Sequence, residues 1–140
     1  MLRTLISIAT LFWATTVGIC MESLKEFNWE HRVVLIFGSS SDVNAQVDDL
    51  VSSPHELDDR QMVVLRLSAD SLVSVYGSRP EATVKQITAD LGVDDVDEFR
   101  VVLVGKDGTV KLDRNERVSA VELFGVIDQM PMRRSEADGE

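Results

Sequence analysis

The chain has 140 residues, 44% of them hydrophobic, with 14 basic against 24 acidic residues and a formal net charge of -10. That length suits one domain, and the apolar content rules out a disordered acidic tail. The acidity argues against wrapping nucleic acid and against adhesion to anionic lipid, both of which need clustered Lys and Arg.

Met1-Leu2-Arg3 gives a short positive start, and Leu5 to Ile19 is then free of charge. A positive start followed by an apolar stretch of about 7–15 residues predicts a secretory signal peptide over residues 1–20. A spanning helix wants about 20 apolar residues, so no stable membrane span is expected. Gly18 and Cys20 are the best small pair for cleavage, which places the cut after Cys20. An uncleaved N-terminal anchor is the alternative. Export to the periplasm or the medium is the expected localisation. Cys20 is the only cysteine, so a compartment that permits disulfides would receive a mature domain with none.

Residues 21–31 form a lead-in, with Leu24 and Phe27 spaced for one helical face and Trp29 expected to pack behind them. Val33 to Phe37 is an unbroken apolar run, the pattern of a strand buried on both faces. Gly38 and Ser39-Ser40-Ser41-Asp42 stop it. A helix from Val43 to about Ser52 follows, with Val47, Leu50 and Val51 inward and Ser41 or Asp42 as its cap. Pro54 to Asp59 reads as a polar connector. Met62 to Leu67 is a second buried strand, and Leu72 to Tyr76 has weak strand character. Pro80 suits the first turn of a helix carrying Val84, Ile87 and Leu91 and closing at Gly92. Phe99 to Val104 is the third buried strand. Asp107-Gly108 turns the chain into a return strand over Thr109 to Leu112. Ser119 to Glu122 has the form of a capping box and opens a last helix, its seam Ala120, Leu123, Phe124, Ile127 and Met130. Pro131 is expected to end it and to leave residues 132–140 as a charged, mobile tail.

Strand, helix, strand, helix, strand, hairpin strand, helix is the order of a thioredoxin-like core. Trp29 with His31-Arg32 leading into Val33-Val34-Leu35-Ile36-Phe37, then Phe99-Arg100-Val101-Val102-Leu103-Val104-Gly105-Lys106-Asp107-Gly108 and Val110-Lys111-Leu112, resemble the DUDES-type domain. That is a thioredoxin-like family of unknown function, found in bacterial exported proteins and in animal extracellular-matrix proteins. The resemblance implies an α/β domain over residues 32–131, with a mixed four-stranded sheet, the hairpin at one edge and helices on both faces. Where thioredoxins carry Cys-x-x-Cys, this chain has Ser39-Ser40-Ser41-Asp42. Asp97-Glu98 stands where they place a proline. No thiolate is available there for disulfide or peroxide chemistry.

Other chemistry has little support. His31 and His55 are isolated, and the acidic run Asp94, Asp95, Asp97 and Glu98 lacks the register of a calcium loop. No phosphate-binding loop and no Gly-x-Ser-x-Gly elbow occurs. No catalytic residue, metal or cofactor is expected. The candidate ligand loop is Ser39, Ser40, Ser41 and Asp42, where hydroxyls at a helix N-terminus face a possible ligand, although the Asp42 charge would repel an anion. Two functions remain: a non-catalytic binding or interaction module serving an envelope protein, an extracellular protein or a small ligand, and a small-ligand receptor or non-thiol enzyme built on that serine loop.

Overall fold

Six consecutive buried residues, Arg32–Phe37, form the central strand β1 of the computed structural model, which describes residues 18–139. Helix α1 (Ser41–Val51) and a short α2 (Pro54–Asp59) lead to β2 (Met62–Leu67). β3 (Leu72–Tyr76), α3 (Val84–Leu91), β4 (Arg100–Val104), β5 (Val110–Arg114), α4 (Ala120–Asp128) and α5 (Pro131–Asp138) follow. The sheet order is β3-β2-β1-β4-β5, with β1 and β2 parallel and every other pair antiparallel. The signal-peptide reading rests mainly on residues 1–17, outside the described residues.

The continuous apolar runs sort by the two-residue period of a strand. Val34, Ile36, Val64, Val101 and Leu103 point to one face, where Val47 and Leu50 of α1, Leu57 of α2 and Leu123 and Ile127 of α4 cover them. Val33, Leu35, Phe37, Val63 and Val102 point to the other, under Ile87 and Leu91 of α3 and under Met21, Leu24 and Phe27. The last three belong to a kinked 3-10 segment at Glu22–Phe27 and the residue before it. Helices therefore cover both faces.

Several differences from the sequence expectation have physical causes. Pro54 to Asp59, expected as a polar connector, forms the helix α2, with Pro54 at its first turn and Leu57 buried. The sheet has five strands, not four: β3 adds to β2 at the edge, buried only at Leu72, so its pattern is too one-sided to read as a core strand. The α1 cap is Ser40, with Ser41 and Asp42 already inside the helix. No side-chain hydrogen bond is made by Ser40, and Asp42 instead sets a negative charge in the first turn, where it complements the helix dipole. Pro80 precedes α3 without starting it; Thr83 caps that helix in a reciprocal box with Gln86. Trp29 is 67% exposed, because a positive φ of 68° turns it out of the lead-in. Pro131 opens α5 at its first turn where a charged tail was expected.

Candidate functional site

Ser39, Ser40, Ser41 and Asp42 lie at the carboxyl end of β1 and are all exposed. The antiparallel register sets Phe37 beside Arg100, so the start of β4 shares this end of the sheet. Gly38 is buried there with φ 131°, and a Cβ built on it would lie 3.2 Å from the Phe99 Cα. Arg66 of β2 donates to Asn44 Oδ1 at 2.9 Å, bringing a cation to the first turns of α1. The loop is thus an open helix start with hydroxyls, one carboxylate and a cation nearby.

A second constellation occupies the opposite end of β1, and no motif announced it. Arg32 begins the strand and is 1% exposed. Its Nη1 donates to the Arg60 carbonyl at 2.9 Å and to Glu136 Oε2 at 3.2 Å, while its Nε and Nη2 are buried without a partner. Lys106, also buried, donates from Nζ to Gln61 Oε1 and to Glu136 Oε1. Both cations stand in the blocks that carry the family resemblance, but each adjoins a strongly apolar run and nothing local marks them as a pair. Only the pairing of Val33 with Val104 brings the start of β1 next to the turn after β4.

Further charges tie α2, α4 and α5 together at this end. Arg60 stacks 4.6 Å from the Phe124 ring centroid and forks onto Asp128 at 2.9 and 2.8 Å. Arg133 bonds the Asp59 carbonyl at 2.8 Å and contacts its carboxylate. Burial pushes the Glu136 carboxyl up, but hydrogen bonds from Lys106 and Arg32, with their charges, outweigh it and hold the group below the ordinary range. The hydrogen bond from Arg60 is the main cause lowering Asp128, against its own desolvation.

These shifts predict an acid-labile α5. Both carboxyls titrate lower in the folded chain than in the unfolded one, where values near ~4 are usual. Their stabilisation is whole above that value and is lost as pH falls through the folded pKa values. Melting midpoints taken from about pH 6 down to about pH 3 should fall, and less steeply in Glu136→Gln. An equal slope in the variant would show that Glu136 contributes nothing.

Among the described residues, no group of three or more His, Cys, Asp or Glu is placed to hold a metal ion, and no helix is long and apolar enough to cross a membrane. Cys20 is exposed and bridges Thr109. Thr109 follows the turn after β4, so the thiol lies at the end of the sheet away from Ser39 to Asp42.

A family model described as a domain of unknown function, DUF4174, matches residues 23–136. No curated protein matches. Among solved structures the chain is similar to the mitochondrial 2-cys peroxiredoxin from Plasmodium falciparum, with a TM-score of 0.55 at 16% identity, covering 84% of each chain. At that identity the likeness shows the fold alone: α/β, thioredoxin-like, as expected, with a fifth strand.

Proposed function

The chain belongs to the DUF4174 family of domains of unknown function, and on that premise we propose that it is an exported, non-catalytic binding or interaction module of the cell envelope. The observation that carries this reading is the serine loop. A thioredoxin-like scaffold presents Ser39, Ser40, Ser41 and Asp42 at the strand end where thiol enzymes of this fold keep their nucleophile. A hydroxyl of ordinary acidity cannot replace a thiolate without a positioned base, and no hydrogen bond from a histidine reaches these serines among the described residues. The one cysteine is at the far end of the sheet. The solved neighbour is named for two cysteines, and this chain has one.

Export is supported by the charge-free stretch from Leu5 to Ile19 behind Arg3. The occupant is then a protein or small ligand outside the cytosol.

The test is turnover. The full chain should neither reduce insulin disulfides with a dithiol donor nor consume hydrogen peroxide above the buffer rate, and Cys20→Ser should change neither. Turnover that disappears in Cys20→Ser would overturn the non-catalytic reading. Retention of the whole chain in the cytosolic fraction would overturn the envelope assignment.

A further inference from the structure

A cavity of about 260 Å³ opens between the β4–β5 turn, the start of β1 and the α4–α5 junction, lined by Arg32, Lys106, Lys111, Met130, Pro131 and Met132 among others. Its polar wall is unusual for so acidic a chain. Lys111 is neutralised by Asp107 at 2.9 Å, but Arg32 and Lys106 share one carboxylate, Glu136, leaving a surplus positive charge below the surface. A buried guanidinium with two unpartnered nitrogens is costly, and native proteins rarely leave such groups unmet.

A second observation points to the same place. The two described non-glycine residues with positive φ are Trp29, at 68°, and Gln61, at 50°. Both are bonded to Lys106. The Trp29 amide donates to the Lys106 carbonyl at 2.7 Å, and the Gln61 side chain accepts from its Nζ. The Gln61 carbonyl also accepts from the Arg32 amide at 2.9 Å. Both residues stand just past a helix end, where a left-handed residue commonly closes the helix, and from there both fix the position of Lys106.

We propose that Arg32 and Lys106 form a binding site for a small organic carboxylate, and that Glu136 holds the place of its headgroup when the site is empty. With Glu136 displaced, Nη1 of Arg32 and Nζ of Lys106, the donors it now occupies, are offered to the ligand carboxylate, and the adjacent unpartnered Nε and Nη2 add to the positive field there. Met130, Pro131 and Met132 offer apolar surface to the rest of the molecule. The cavity lies just below the usual range for ligand pockets, about 300–1,000 Å³, so the acid is small. Access comes through α5, which buries none of its own residues and is attached by ion pairs. Ligand entry exchanges one carboxylate for another, so no charge is stranded. The site shares no residue with the serine loop and stands whether or not the domain is catalytic.

Titration calorimetry of the full chain with hexanoate, and separately with inorganic phosphate, tests this. Removing the internal competitor's charge in Glu136→Gln should tighten hexanoate binding about tenfold, by raising the fraction of open sites. Adding Lys106→Met should cancel that gain, and phosphate should bind more weakly than hexanoate throughout. Glu136 is on an exposed helix, so its single variant decides the matter even if the double variant misfolds. Equal or absent hexanoate binding in wild type and Glu136→Gln would overturn the proposal. Binding of phosphate without hexanoate would overturn the carboxylate assignment.

Discussion

Gln46→Leu is expected to destabilise the domain by roughly 2–6 kcal/mol, because two buried backbone groups lose their partners at about 1–3 kcal/mol each. Gln46 is fully buried in α1, in a position that keeps the helical spacing of its apolar neighbours. Its amide nitrogen donates to the Val118 carbonyl at 2.7 Å, and its carbonyl oxygen accepts from the Val118 amide at 2.8 Å. The side chain thus completes the backbone of the segment entering α4, much as a strand would. Asp49, one turn on, accepts from the Ala120 amide at 2.8 Å and fixes the same junction. Leucine is apolar and somewhat smaller, so most of the packing survives while both hydrogen bonds vanish. A chemical-denaturation series should show the midpoint falling with little change in slope. Gln46→Glu separates the two bonds: it keeps an acceptor for the Val118 amide and sets an oxygen against the carbonyl, so it should be intermediate or worse, never neutral. Wild-type stability in Gln46→Leu would mean that water satisfies Val118 in its place.

Gly38→Val should be comparably severe, at about 2–6 kcal/mol, from backbone strain and overpacking of about 1–3 kcal/mol each. Gly38 turns the chain from β1 into the serine loop with φ 131°, a region that side-chained residues rarely adopt. A Cβ there would lie 3.0 Å from Val43 Cγ2 and 3.2 Å from the Phe99 Cα. The first neighbour can move; the second is backbone held beside β4. Valine adds two methyl groups to that gap. At several degrees per kcal/mol in a domain of this size, the melting midpoint should drop by about 10 °C or more. Because the loop hangs on this turn, Gly38→Ala should also alter hydrogen exchange at Ser39 to Asp42 before global unfolding. An unchanged midpoint in Gly38→Val would show that the turn relaxes freely and that the serine loop is not held by it.

The two predictions differ in what foretold them. Gly38 ends an apolar run and precedes three serines, so a turn at that point is visible in the sequence. Gln46 is not: a polar residue two before Asp48-Asp49 reads as surface, and its partner is 72 residues away. The same contrast holds across the molecule. β1, β2 and β4 announce themselves, since strands covered on both faces must be apolar without interruption, and the two cores then follow from alternation. β3 is nearly silent, because an edge strand with one half-covered face carries few apolar residues. α5 is silent altogether. Nothing in Pro131 to Asp138 is buried, and what holds it is charge: Glu136 on Arg32 and Lys106, and Arg133 on Asp59, all distant in the chain.

By itself, then, the sequence determined the class of fold, the lack of a thiol at the strand end where this fold does its redox chemistry, and the place of Ser39 to Asp42 between the first core strand and its helix. These depend on local period and on which residue types are present. Tertiary structure alone decided that Arg32 and Lys106 meet, that Glu136 folds back over them, that Trp29 faces outward and that Gln46 is a core residue. Each depends on strand register or on a contact between elements far apart in the chain, and a buried charge or amide leaves no periodic mark: its environment is supplied by residues that arrive only when the sheet has closed.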